Sequence, residues 1–308
     1  MESVVCNLCG ADDADVLFEG CDRLHGLPGR FPLRRCRQCG LIYLSPRPDR
    51  DEIQHYYPDS YPSYLLAIDD EPSASVRLNR RYGMAKRLRA ISPRVGPPGR
   101  ALDVGCATGN FLHNLRNCGW QVCGVEPNPR AADYARKRLG LTVFTGGLAA
   151  AGYPEGFFDL VSFWDVLEHV HDPRATLEEA ARVTKPGGSL ALSLPNPESI
   201  EARLFGPYWA GWDCPRHLYL FSQPVLAKLL SETGWQMTEV YSFTGRHWVL
   251  ALSLEFWLKA CPQHEGLRHL LLKIGSSFPA RVCTLPCFLM LERFNQSSIM
   301  SVFAHRNG

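Results

Sequence analysis

The sequence contains no apolar run long enough to cross a bilayer as a helix. Nor does it carry a strong excess of either charge. Its 33 Lys and Arg nearly balance 31 Asp and Glu, for a formal charge of +2. That balance argues against a strongly basic nucleic-acid binder. The chain does not open on a positive stretch followed by apolar residues, so no secretory signal peptide is expected. Its twelve cysteines do not form a disulfide framework: four sit in two tight pairs and most others fall within apolar stretches. That distribution fits a reducing, cytoplasmic setting. The 308 residues suffice for one large α/β core and a small accessory module.

The two pairs are Cys6-Asn-Leu-Cys9 and Cys36-Arg-Gln-Cys39, each followed by a glycine. Two knuckles donating two thiolates each can build a closed tetrahedral zinc site, whose contribution is folding energy for a segment with little core of its own. Cys6, Cys9, Cys36 and Cys39 are the expected metal ligands, and Cys21 is left as buried or incidental. The ribbon spans residues 1–48. A Tyr- and Pro-rich connector occupies 49–74, where Tyr56, Tyr57, Tyr61 and Tyr64 either pack the ribbon onto the next domain or line a substrate channel.

The rest of the chain is organised around Ala101-Leu-Asp-Val-Gly-Cys-Ala-Thr-Gly-Asn-Phe111. Ala101 to Val104 read as a buried strand, and Phe111 to Cys118 carry apolar residues at helical spacing. Gly105 and Gly109 permit backbone angles or a ligand approach that a Cβ obstructs. A strand, a Gly-rich turn and a helix form a mononucleotide-binding device. The next strand, Gln121 to Val125, ends at Glu126, an acid placed to accept both ribose hydroxyls or to cap the helix that Pro129 begins.

On these motifs, with the turn Thr184-Lys-Pro-Gly-Gly188, the chain resembles the class I S-adenosylmethionine-dependent methyltransferases. With the N-terminal cysteines it resembles a bacterial subgroup that carries a zinc ribbon and is often associated with sugar, glycan or secondary-metabolite pathways. The resemblance implies a seven-stranded, doubly wound Rossmann-like sheet over residues 75–308. It also implies that S-adenosylmethionine binds to Asp103, Gly105, Cys106, Ala107, Gly109 and Asn110 of the first motif. Glu126 and Pro127 follow the second strand, Leu148 belongs to the loop against adenine, and Trp164 and Asp165 follow the fourth strand. Consecutive glycines at 146 and 147 depart from the polar residue that many members offer to adenine.

Further elements follow from periodicity. Ser75 to Ile91 reads as an amphipathic helix, with Val76, Met84, Leu88 and Ile91 toward the sheet and its arginines in water. The substrate side is residues 195–222, a loop dense in aromatic and polar groups. His217 is its candidate general base and Asp213 its orienting acid. Pro215-Arg-His-Leu218 also resembles a recurrent segment of the subgroup. Arg216 either binds an acceptor phosphate or holds the loop by a salt bridge. Asp165, Glu168 and His169 resemble an arrangement seen in quinone-pathway O-methyltransferases, or else cap the next helix.

An apolar insertion at 246–293, broken by prolines 262, 279 and 286 into short helices, separates the last two strands. It reads as a lid, a homodimer surface or a peripheral membrane contact. The expected reaction is methyl transfer to a small-molecule, nucleotide-sugar or lipid-linked glycan acceptor, most often at oxygen. C-methylation, RNA methylation or non-catalytic cofactor binding stand as alternatives. Nucleic acid is the least favoured partner.

Overall fold

The computed structural model describes residues 1–58, 67–242, 246–260 and 278–308. Tyr61, Tyr64 and the apolar stretch Leu267 to Ile274 lie outside the described residues. The chain divides into two compact units. One joins Met1–Tyr56, Leu194–Leu226 and Val240–Ser301; the other joins Tyr57–Ser193, Ala227–Glu239 and Val302–Gly308.

The second unit is built on a sheet whose central strands are apolar on both faces, while its two edge strands are partly exposed. β4 (Arg100–Val104), β5 (Gln121–Glu126), β6 (Thr142–Thr145), β7 (Phe158–Trp164) and β8 (Thr184–Pro195) join β10 (Trp235–Tyr241) and β11 (Ile299–Arg306). They form one seven-stranded sheet in the order β10-β11-β8-β7-β4-β5-β6. Leu102, Leu160, Val161, Phe163, Leu190 and Leu192 are wholly buried, as strands covered on both faces require. β4 runs parallel to β5 and β7, which sets Asp103 beside Gly124 and Ser162. The expected turn at Thr184 to Gly188 is a bulge at the start of β8: Phe158 pairs with Thr184, but Leu160 pairs with Ser189.

The helices obey local rules. α2 (Asn110–Asn117) follows the Gly-rich turn. α3 (Pro129–Leu139) has Pro at its first position, Asn128 as N-cap and Gly140 in the left-handed region at its end. α4 (Pro173–Val183) is capped by Asp172, so neither Glu168 nor His169 serves that purpose.

α1 (Ala74–Ile91) keeps only part of its expected amphipathicity: Ile91 is buried and Met84 and Leu88 are half-buried, but Val76 is not covered. Val76 and Leu78 are exposed, whereas the Arg80 and Arg87 side chains are largely covered. Polar contacts clamp the helix instead. Arg77 donates to the carbonyls of Glu71 and Pro72, Arg80 faces Glu71, and Arg81 pairs with Asp69 at 2.7 Å.

In the first unit, β1 (Ala14–Gly20), β2 (Phe31–Cys36) and β3 (Ile42–Leu44) form an antiparallel sheet. A fourth strand, β9 (Tyr219–Leu220), comes from the segment after β8, pairing Ile42 with Leu220 and Tyr43 with Tyr219. The same segment contains α5 (Ile200–Phe205) and leads into α6 (Gln223–Glu232). The insertion contributes α7 (Arg246–Lys259) and α8 (Phe278–Arg293). α8 runs through Pro286 rather than ending there, at the loss of one backbone hydrogen bond.

Arg216 holds this unit together from the inside. Its wholly buried guanidinium donates from Nη1 and Nη2 to Asp22 at 3.2 and 2.7 Å, and from Nη1 to the Tyr56 carbonyl at 3.0 Å. Nε and Nη2 also donate to Asp213, at 3.0 and 2.6 Å. Removing the cation strands the buried Asp22 carboxylate and takes its main partner from the partly buried Asp213. Arg216→Met should therefore cost about 3–5 kcal/mol in urea unfolding. A loss under about 1 kcal/mol would mean that water or protonation compensates the acids.

Candidate active site and metal centre

The turn after β4 is shaped by close packing. Gly105, at φ 70°, has Val166 2.6 Å from where a Cβ would stand. Gly109, at φ 79°, has Leu141 at 2.4 Å. Both positions therefore need glycine for conformation and for space. Ala107 also takes a positive φ, 46°, between them. Its N–H donates to Glu126 Oε2 at 2.8 Å, and Asn128 N–H donates to Glu126 Oε1 at 2.8 Å.

Glu126 thus ties the first turn to the end of β5, while Asn128 caps α3. Each carboxylate oxygen retains acceptor capacity beyond its one backbone contact. Burial raises the Glu126 pKa, against the pull of the Asn128 and Ala107 N–H groups.

Asp103 is buried and accepts a hydrogen bond from Ser162 Oγ at 2.6 Å. Burial pushes its pKa up to about 7, while Ser162 and the Arg87 cation oppose the rise. Cys106 packs into the apolar cluster of Leu112, Ala132, Ala135 and Val143, so only its backbone belongs to the turn's surface. Asn110 Oδ1 accepts the Ile68 N–H at 2.9 Å, which fastens the connector's end over this turn. Tyr134 and Arg138 hold the neighbouring Asp70, Arg138 by two bonds of 2.6 and 2.8 Å.

At the end of β7, Asp165 adopts φ 58°. Ser193 Oγ donates to its Oδ1 at 2.7 Å, and Arg87 Nη2 approaches Oδ2 at 3.3 Å. The Arg87 guanidinium also lies 4.9 Å from the Trp164 ring centre, and Trp164 meets Phe111 edge-on at 5.3 Å. Sequence reasoning missed Arg87 because five arginines share its helix and only tertiary contact separates it from the others. Leu148 is buried at the head of a one-turn helix, and Gly146 N–H donates to the Glu126 carbonyl at 3.0 Å. Pro127 is exposed. Tyr57 OH contacts His169 Nδ1 at 2.9 Å.

In the first unit, His217 Nδ1 lies 2.8 Å from the Gly211 carbonyl. A carbonyl only accepts, so Nδ1 carries the proton and Nε2 is the basic nitrogen of the neutral ring. Asp213 Oδ2 is 3.9 Å from that Nε2, and its carboxylate is engaged mainly by Arg216. Arg216 is the loop-holding salt bridge; a wholly buried fork bound to two carboxylates does not offer itself to a phosphate.

The four paired cysteines converge. Cys6 and Cys39 sulfurs are 3.3 Å apart, Cys9 and Cys36 3.4 Å, and all four fall within 4.8 Å of one another. Thiolates about 2.3 Å from a tetrahedral ion stand roughly 3.8 Å apart, so the donor set fits a metal of zinc's size. Burial opposes the Cys36 thiolate, yet N–H groups of Cys39 and Gln38 aimed at its sulfur bring its pKa down to about 7. Cys21 is exposed and belongs to no such group; Arg23 contacts its sulfur at 3.0 Å.

The family model of the methyltransferase domain matches residues 76–240, more than half of the chain. The chain is an S-adenosylmethionine-dependent methyltransferase. It is 31% identical over 179 residues to the ubiquinone biosynthesis O-methyltransferase of Xanthomonas axonopodis pv. citri, covering 53% of this chain and 73% of that protein. It is 32% identical over 175 residues to the protein of the same name from Xanthomonas oryzae pv. oryzae, with the same coverage. A methyltransferase structure from Archaeoglobus fulgidus superposes with a TM-score of 0.50 at 16% identity, covering 74% of this chain and 94% of that one. That likeness concerns the fold.

Asp103 of this methyltransferase makes stability depend on pH. Its proton is held up to about pH 7 in the folded chain, against 3.8 for an ordinary side chain. The stabilisation is complete below about pH 4 and is lost as pH rises through 7. Asp103→Asn should flatten this fall in the cofactor-free protein, as read from urea midpoints at intervals across that range. An unchanged slope would show that the carboxylate is already ionised in the fold.

Proposed function

We propose that this methyltransferase methylates a hydroxyl of a small-molecule acceptor, with His217 as general base and a structural zinc held by Cys6, Cys9, Cys36 and Cys39. S-adenosylmethionine, when bound, supplies an activated methyl group on a sulfonium sulfur. Glu126 accepts the ribose hydroxyls through its remaining lone pairs, and Asp103, held by Ser162, seats the cofactor together with the glycines of the turn. The backbone of Gly105 to Gly109 admits close approach of the cofactor. Asn110, Pro127, Leu148, Trp164 and Asp165 complete the proposed cofactor walls, with Arg87 added from the structure. His217 Nε2 takes the proton as the acceptor oxygen attacks, with Nδ1 steadied by Gly211.

The observation that carries this reading is the double backbone grip on Glu126 beside a turn whose two glycines leave no room for a Cβ. An oxygen acceptor of small size is supported by relatives whose names specify ubiquinone biosynthesis O-methylation. The ring tautomer at His217 supports the base assignment. A hydroxyl on a sugar or on a lipid-linked acceptor satisfies the same chemistry.

The test is incubation of purified protein with methyl-labelled cofactor and fractionated cell extract, followed by identification of the labelled product. A labelled O-methyl small molecule is the expected result; label in RNA, or in none of the fractions, overturns the reading. Glu126→Ala should weaken S-adenosylhomocysteine binding by roughly 10–100-fold in calorimetry, the scale of losing charge-assisted hydrogen bonds. His217→Gln should keep that affinity and lower turnover by about 10²–10⁴-fold; unimpaired turnover rules out the base.

For the metal, elemental analysis should find zinc close to stoichiometric with protein. Cys36→Ser should lose it together with thermal stability. A native protein devoid of metal yet equally stable would remove zinc from the proposal.

A further inference from the structure

In the second unit, residues 67–71 draw polar contacts from three helices. They precede α1 and contain one turn of 3-10 helix, Ile68–Asp70. Ala67 and Ile68 are buried, and the rest of the segment is partly or fully exposed. Ile68 N–H donates to Asn110 Oδ1 at 2.9 Å, and Ala67 N–H donates to the Tyr134 hydroxyl at 2.9 Å. That hydroxyl donates in turn to Asp70 Oδ2. Arg138 grips both oxygens of the same carboxylate, at 2.8 and 2.6 Å. Arg138 and Tyr134 together hold the Asp70 carboxyl well below the usual carboxylate range.

The anchors show where the segment lies. Asn110 is the first residue of α2, next to Gly109, and its Nδ2 donates to Thr108 of the turn at 2.9 Å. Tyr134 and Arg138 belong to α3, which follows directly on the Glu126 grip. α2 and α3 pack together there: a Cβ on Gly109 would stand 3.1 Å from Ala135, and Leu112 shares an apolar cluster with Ala132 and Ala135. The segment is thus fastened to both helices that flank the turn. Bracing α1 would need only the contacts from Arg77, Arg80 and Arg81. Those from Asn110, Tyr134 and Arg138 tie it to the glycine turn instead. Partly exposed polar contacts are individually weak, and a segment with two buried residues opens at far lower cost than the sheet beneath it.

We propose that residues 67–71 form a strap that closes over bound S-adenosylmethionine, with Asp70 as the positioning residue that keeps it shut by joining Tyr134 to Arg138. This role presupposes the cofactor site proposed above and adds the step that admits the cofactor. The strap lifts, the nucleoside enters against the turn, and the Asp70 contacts re-form behind it. Closure excludes water from around the sulfonium, as methyl transfer requires.

Two measurements on the full-length protein test this. The first is stopped-flow tryptophan fluorescence with S-adenosylhomocysteine. Asp70→Asn should speed both association and dissociation by about tenfold or more, the scale of weakening charge-assisted hydrogen bonds. Arg138→Gln should act in the same direction through the partner side chain, and an unchanged circular dichroism spectrum verifies each fold. The second is amide hydrogen exchange of the parent, which needs no variant. S-adenosylhomocysteine at about ten times its dissociation constant should slow exchange at Ala67 and Ile68 by about tenfold, because an opening that releases the ligand is suppressed in proportion to saturation.

Unchanged rates in both variants overturn the strap, as does exchange at Ala67 and Ile68 that ignores the ligand. Faster dissociation with unaltered association makes the segment a fixed wall and overturns it too. If Glu126→Ala loses affinity while the Asp70 and Arg138 variants match the parent, the cofactor site stands and only the strap falls. A parent that takes up no S-adenosylhomocysteine removes both.

Discussion

The guanidinium of Arg216 is the point on which the first unit depends. It sits where Asp22, near the start of the chain, meets Asp213, nearly two hundred residues later, with the Tyr56 carbonyl closing the cage. Buried charge is tolerated only when fully paired, so each of these groups makes the others affordable in the interior. The consequence is topological. The cysteine-bearing strands and the segment proposed to face the acceptor share one hydrogen-bonded sheet, through β3 and β9, and one ion cluster. His217, beside Arg216 in sequence, inherits its placement from that cluster. Asp213, the acid expected to orient His217, is chiefly the counter-ion of the arginine, and the Gly211 carbonyl orients the ring instead.

The second unit rests on a different device. Here the backbone itself is strained into place: Gly105, Ala107 and Gly109 all take positive φ, and one carboxylate receives the N–H groups of Ala107 and Asn128. The acid proposed to bind ribose thereby also holds the turn that would receive the rest of the nucleoside. Burial keeps Asp103 and Glu126 protonated to higher pH than ordinary carboxylates. A binding partner that donates hydrogen bonds or brings positive charge would favour their ionised forms.

Where the constraint was local, the sequence was readable. Gly105 and Gly109 mark the turn because no other residue fits there, and Pro129 and Pro173 mark helix starts because their rings suit only the first turn. The strands at Ala101 to Val104 and Gln121 to Val125 read from their apolar runs, whereas the seven-stranded sheet as a whole was implied by the family resemblance. What could not be read depended on distant partners. β9 is two residues long, and only its pairing with Ile42 and Tyr43 makes it a strand. Asp22 has no motif around it. α1 has the composition of an amphipathic helix, yet Arg77, Arg80 and Arg81 bind the preceding turn while Val76 and Leu78 face outward. Pro286, expected to end a helix, sits within one because the flanking residues carry the remaining hydrogen bonds. The cysteine pairs were legible at the level of spacing, and their convergence across a hairpin completes the donor set.

The pairing of β9 with β3 bears on how such an enzyme can be shortened or recombined. The cysteine-bearing region looks detachable, since it comes first and carries its own ligands. Excising it would leave Tyr219 and Leu220 as an uncovered edge with unpaired peptide groups, and Arg216 as a cation deprived of half its counter-charge. A graft of the catalytic sheet onto another leader would therefore have to bring a replacement for Asp22 and for the edge that Ile42 and Tyr43 supply. Gene fusions that respect only the sequence boundary near residue 48 would cut through a single folded body.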